Sequence, residues 1–213
     1  GQYSPTSEAG SVTKSSPMGS VDYPFNPLSV ALGAGCSFVA RALDSDRKGL
    51  DETLTTAAHH RGTSFVEIYQ NCPIFNDGAF DDYKGPEAAE RIVRLVDGEP
   101  ILLGADRSKG VVRDPVNGSL TVTEVAQVGM DHVVVHDATR PDPSLAFELA
   151  HLHDSGQISQ IPLGILRSVS LPTYDDMVRD QLRLAGGSAD DKPARDAALQ
   201  QLLRGNDTWQ VHN

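Results

Sequence analysis

Cysteine is scarce in this chain: 213 residues contain two, Cys36 and Cys72. Two thiols cannot make the disulfide framework of a small secreted domain, and no secretion signal precedes them, so a reducing cytoplasm is the expected setting. Long apolar runs are missing as well. Nothing approaches the roughly 20 residues needed to span a bilayer, and the chain reads as soluble, with no membrane partner. Positive charge is in deficit, 18 Lys and Arg against 29 Asp and Glu, which gives a net charge of −11. Binding to nucleic-acid phosphates is driven by Lys and Arg displacing counterions, so nucleic acid is not an expected partner. No P-loop, Gly-x-Ser-x-Gly elbow or dinucleotide fingerprint occurs; Gly33-Ala34-Gly35 falls inside a helical pattern rather than at a strand-to-helix turn.

What is present suits one domain, or one domain with an appended piece, with enough residues to bury a substantial core. Residues 1–24 are rich in Ser, Thr, Gly and Pro and read as loop. Asn26 followed by Pro27 opens a helix, and Leu28, Leu32, Val39 and Leu43 extend a roughly helical spacing through Arg41, with Cys36 in its middle as a packing thiol. A second helix is expected over Leu50–His60 and a strand over Ser64–Tyr69, bounded by Gly62 and Pro73. A helix at about Pro86–Val96 should follow. Short strands are then expected at Ile101–Leu103, Gly110–Arg113, Leu120–Val125 and Val133–Val135, with Asn117-Gly118 as a hairpin signal, and helices at Pro143–His153 and Pro193–Leu203. A Gly-Gly-Ser-Ala-Asp-Asp linker precedes the last helix.

Cys72 is the residue most suggestive of chemistry. It follows an apolar strand and begins the Pro-bearing turn Cys72-Pro73-Ile74-Phe75-Asn76-Asp77-Gly78, where a thiolate is placed like a ligand. The residues alone also fit a buried structural thiol. His136, Asp137, His151 and His153 lie close in sequence, but residues two apart on a helix point to different faces, so a metal site is not expected there. Arg140 is a modest candidate for binding an anionic group, with a surface ion pair as the plainer expectation.

The opening Gly1-Gln2-Tyr3-Ser4-Pro5-Thr6-Ser7, which starts without methionine and reads as cut from a longer protein, is the second distinctive stretch. With the downstream Cys72 turn it resembles the beta subunit of the 2-oxoacid:ferredoxin oxidoreductases, in which a thiamine-binding loop ending in Gly-Gln-x-Ser-Pro-Thr is followed by a cysteine in the turn after a strand. Ile161–Arg167 with Leu171–Asp175 resembles the C-terminal segment of beta subunits in the 2-oxoglutarate branch.

The resemblance implies an α/β fold, the second half of a thiamine-diphosphate-binding doubly wound domain over residues 1–80, with a C-terminal extension over 81–213. It implies oxidative decarboxylation of 2-oxoglutarate to succinyl-CoA, with an alpha subunit, ferredoxin, the 2-oxoacid and coenzyme A as partners. Gly1, Gln2, Ser4 and Thr6 would then lie beside thiamine diphosphate. Cys72 would be one ligand of a 4Fe-4S cluster whose other three thiolates, like the Mg2+ ligands, are supplied from outside this chain. The chain alone is expected to be inactive. A non-catalytic α/β binding or scaffold module, or the same reaction on pyruvate or another 2-oxoacid, remain as alternatives.

Overall fold

The computed structural model describes residues 2–153, 160–186, 191–209 and 211. One compact unit runs up to Leu171 and a second begins at Pro172.

The first unit opens, after a turn-rich segment, with helix α1 (Pro27–Gly33), whose Asn26 side chain accepts a hydrogen bond from the Ser29 N–H. The helix stops there because Gly35 takes a left-handed φ of 80°, a common way for a helix to end. The chain then enters strand β1 (Phe38–Leu43), buried along its whole length. The expected helix over 26–41 is thus two elements. A strand buried on both faces has no polar alternation, and Val39 and Leu43 fell into helical register with α1 by coincidence. Cys36 lies in the turn between them rather than in mid-helix; it is buried, with its thiol donating to the carbonyls of Phe38 (3.1 Å) and Thr63 (3.2 Å).

Helix α2 (Arg47–His59) follows, capped by the Asp46 carboxylate on the Gly49 N–H, and leads to β2 (Ser64–Tyr69). β2 pairs with β1 in parallel from Phe38↔Ser64 to Leu43↔Tyr69, with α2 as the crossover. The predicted order helix, helix, strand is corrected to helix, strand, helix, strand.

Beyond the Cys72 turn come a 3-10 turn (Asp81–Tyr83), a single helical turn α3 (Ala88–Arg91) and strand β3 (Ile92–Arg94). This replaces the helix expected over 86–96. The β-branched pair Ile92 and Val93 is buried in β3 against Ile161 and Pro162. Strands β4 (Leu102–Leu103), β5 (Lys109–Arg113) and β6 (Leu120–Glu124) form a separate antiparallel sheet, with the expected hairpin at Asn117-Gly118. Residues 133–135 make only isolated bridges, Val133 to Val112 and Val135 to Pro100.

After α4 (Val125–Val128) and α5 (Ser144–Ala150), strand β7 (Ile161–Ser168) enters the first sheet, antiparallel to β1 and parallel to β3. The order of that sheet is β2-β1-β7-β3. The main core joins α1 and α5 to the sheet through Leu28, Leu32, Val39, Leu149 and Leu166, each buried side chain being worth roughly 1.5–3 kcal/mol.

The second unit holds helices α6 (Tyr174–Gly186) and α7 (Lys192–Arg204), the latter capped by Asp191 and without a buried residue. Residues 187–190 of the expected linker lie outside the described residues. Among the described residues, no helix is long and apolar enough to cross a membrane.

Candidate functional site

Parallel pairing puts the C-terminal ends of β1 and β2 side by side, the edge where open α/β sheets carry their ligand loops. The two following loops are tied together: the Asn71 N–H donates to the Asp44 carboxylate at 3.1 Å, and the Asp44 N–H to the Tyr69 carbonyl at 3.0 Å.

From there the chain turns tightly around Cys72. The Asn76 N–H donates to the Cys72 carbonyl at 2.9 Å. Backbone hydrogen bonding from Phe75 and Ile74, and then from Asn76, holds the Cys72 thiol below the ordinary range, against the opposing effects of burial and the Asp77 charge. Cys72 is partly exposed and forms no disulfide. A partly exposed thiol whose pKa is lowered can bind metal or act as a nucleophile, unlike the enclosed Cys36. Ile74 and Phe75 beside it are 81% and 74% exposed.

Along the same two strands lies a buried ion pair. Arg41 and Glu67 face each other in register, Nε to Oε2 at 2.6 Å, with side chains 4% and 14% exposed. The Arg41 guanidinium sits 5.0 Å from the centre of the Tyr69 ring, and its Nη1 is buried without a hydrogen-bond partner among the described residues. Tyr69 stacks on Phe80, which meets Tyr83. Burial chiefly raises the Tyr83 hydroxyl, with Asp82 and, more weakly, Glu8 adding to the shift.

The opening segment is a set of nested turns. Gly1 lies outside the described residues and Gln2 is exposed. The Ser4 and Thr6 hydroxyls, both on exposed residues, are 2.9 Å apart, the Ser4 N–H donates to Ser7 Oγ at 3.0 Å, and the Phe25 N–H donates to the Pro5 carbonyl at 2.8 Å. Further on, buried Ser20 closes the loop through its hydroxyl on the Glu8 carbonyl at 3.1 Å. Ser4 Oγ also lies 3.3 Å from Ser7 Oγ and accepts from the Thr6 N–H at 3.3 Å, and hydroxyls bonded to one another at a surface turn can rotate to donate to an anion. Residues 2–7 carry no carboxylate, so their contribution to a magnesium site is limited to hydroxyl or carbonyl oxygen.

The remaining candidates do not converge on this end. Arg140 pairs with Asp142 at 3.3 Å, and His151 Nε2 meets the Ser29 hydroxyl at 2.7 Å. Among the described residues no three His, Cys, Asp or Glu side chains group to hold a metal ion. A groove of about 450 Å³ runs beside α2, lined by Thr53, Arg94, Asp97 and Ser168 among others, but by neither Cys72 nor the opening hydroxyls.

No family model matches the chain. It is 53% identical over 211 residues to the 2-oxoglutarate oxidoreductase subunit KorB of Mycobacterium tuberculosis, a match taking in 99% of this chain and 55% of that subunit. It is also 39% identical over 77 residues to a 2-oxoacid:ferredoxin oxidoreductase subunit beta of Saccharolobus solfataricus, covering 36% of this chain and 25% of the relative. The chain is homologous to 2-oxoacid:ferredoxin oxidoreductase beta subunits. It spans about half the length of KorB. Its fold resembles a solved 2-oxoglutarate:ferredoxin oxidoreductase from Magnetococcus marinus with 2-oxoglutarate, coenzyme A and succinyl-CoA bound. The TM-score is 0.61 at 25% identity, over 93% of this chain and 52% of the other.

In this beta-subunit homologue the sequence pointed to Cys72 but not to Asp44, Asn71 or the Arg41–Glu67 pair. The available signal was position: Asp44 directly follows β1, and Asn71 directly precedes the cysteine.

Proposed function

We propose that the chain is part of the beta subunit of a complex that oxidatively decarboxylates 2-oxoglutarate to succinyl-CoA and reduces ferredoxin, working with an alpha subunit. The homology to KorB along nearly the whole chain carries this reading. Within it, residues 1–80 supply the latter half of a thiamine-diphosphate-binding domain. Residues 81–213 supply the C-terminal extension, of which β3 and β7 join the sheet. A cytoplasmic setting accords with two free thiols.

The residues fit the groups such a complex uses. Cys72 offers a partly exposed sulfur in the tight turn after β2 and would contribute one ligand to a 4Fe-4S cluster. The Ser4 and Thr6 hydroxyls would donate to diphosphate oxygens, and Gly1 and Gln2 would flank them with backbone groups. Mg2+ would take its carboxylate ligands from residues outside this chain. When bound, thiamine diphosphate supplies the carbon nucleophile and electron sink for decarboxylation, and the cluster carries electrons singly to ferredoxin. The protein's part would be placement: Cys72 stands in the turn after β2, and the opening turn offers hydroxyls.

The test is anaerobic assay of the full-length subunit purified with its alpha partner. Dye reduction should require both 2-oxoglutarate and coenzyme A. Activity with pyruvate alone would overturn the substrate assignment, and a folded complex inert toward every 2-oxoacid would overturn the reaction. The Ser4→Ala/Thr6→Ala variant should need at least about tenfold more thiamine diphosphate for half-maximal activity, as expected if two charge-assisted hydrogen bonds are lost. An unchanged requirement would remove this turn from the diphosphate site.

A further inference from the structure

The turn that presents Cys72 is not held by packing. Residues 73–77 are all exposed, and the apolar side chains among them, Ile74 and Phe75, bury little. A loop without buried apolar surface keeps its shape only through hydrogen bonds that outweigh the entropy of ordering it. Half-buried Asn71 makes three of them. Its N–H is anchored on Asp44 at 3.1 Å, which fixes the start of the turn to the end of β1. Its side-chain carbonyl accepts from the Gly78 N–H at 2.9 Å, and its amide donates to Asp77 Oδ1 at 2.9 Å. The side chain therefore clamps the far end of the turn to the near end. Gly78 takes a φ of 79° there and passes the chain to the 3-10 turn through the Asp81 N–H on its carbonyl at 3.1 Å. Between the clamped ends, the Asn76 N–H donates to the Cys72 carbonyl at 2.9 Å and closes the backbone that carries the sulfur.

We propose that Asn71 is a positioning residue for Cys72: its side chain closes the 71–78 turn, so that the sulfur stands in place before any ligand arrives. This rests on the reading of Cys72 as a cluster ligand only for its functional consequence; the clamp itself is a property of the turn. The position at which a cysteine sulfur is held would influence the electronic structure of the iron it binds. The clamp therefore predicts a spectroscopic effect that a merely structural asparagine would not produce.

The decisive experiment compares Asn71→Ala, Asn71→Asp and the exchanged pair Asn71→Asp/Asp77→Asn in the full-length complex. Hydrogen exchange of residues 72–78 and the EPR signal of the reduced cluster are the two readouts. Asn71→Ala should speed exchange at the Gly78 amide at least tenfold and shift or broaden the EPR signal. Asn71→Asp keeps the acceptor for Gly78 but sets two carboxylates against each other, and should behave in the same way. The exchanged pair restores a donor and an acceptor with one carboxylate, and should return both readouts to within about twofold of wild type. Unchanged exchange in Asn71→Ala, or no recovery in the exchanged pair, would overturn the clamp. Restored exchange without a restored EPR signal would overturn its effect on the cluster. Full retention of iron by Cys72→Ala would instead overturn the ligand assignment, leaving the exchange comparison to decide the clamp by itself.

Discussion

Arg41 and Glu67 show what a single buried pair contributes. With the two side chains 4% and 14% exposed, removing one partner strands a charge in the interior, a change that costs roughly 3–5 kcal/mol. Arg41→Ala should lower unfolding stability by about that amount, whereas Arg41→Met/Glu67→Met, which removes both charges and keeps volume, should lose far less. Urea denaturation of the three proteins checks the difference. His136 gives the pH dependence. Its imidazole is 1% exposed, donates from Nε2 to the Ile165 carbonyl at 2.7 Å, and is held below its ordinary pKa chiefly by burial, against weaker opposing pulls from that carbonyl, Asp97 and Asp137. The unfolded chain then takes up a proton that the folded chain resists. This contribution to stability is complete above the unfolded histidine pKa of about 6.5 and declines as pH falls toward the folded value. His60 shifts in the same direction, also through burial. His136→Gln retains a donor for Ile165 and should flatten the fall in urea midpoint between pH 7.5 and 5.5; an unchanged fall would exclude His136 as its source.

At the scale of elements, the sequence was legible where one structural period acted alone. α2 showed its C-terminal end, though its start at Arg47 and its Asp46 cap lie before the expected Leu50; β2 showed its bounding glycine and proline, and the β5–β6 hairpin its Asn117-Gly118 turn. Illegible elements were those whose pattern is set by partners distant in sequence. β1 is buried on both faces, so its residues could be read into the preceding helix. In β7 the register with β1 shifts between Val39 and Ala40, which pair with Arg167 and Ile165 and leave Leu166 as an extra residue. The bulge disrupts the two-residue alternation, and a stretch matched only by family likeness proves to be a central strand. Gly164 is required beside that bulge: its φ is 122°, and a Cβ would stand 2.8 Å from the Leu95 carbonyl oxygen. Gly164→Ala should therefore cost about 1–3 kcal/mol in backbone strain, with the contact adding to it. A thermal midpoint within a degree of wild type would contradict this.

For the whole molecule, the fold and the site differed in how far they could be foreseen. A thiol after a strand and a Ser/Thr-rich opening were visible as isolated words. The placement of the Cys72 turn beside the end of β1 depends on β1–β2 pairing and on the Asn71–Asp44 bond, neither of which is a local property. The chain contributes one candidate cluster thiolate, because Cys36 is enclosed by α1 and β1 and bonded to two carbonyls. Residues 1–213 expressed alone should accordingly be colourless and inactive, since a cubane cluster takes four thiolates. Co-expression with the rest of the subunit and the alpha partner should restore colour. The most direct test of the account is the iron content and visible absorbance of the anaerobically purified complex carrying Cys72→Ala, beside wild type and Cys36→Ala. The account predicts loss of the broad visible band and of cluster iron in Cys72→Ala, with both retained in Cys36→Ala; equal iron in Cys72→Ala and wild type would contradict it.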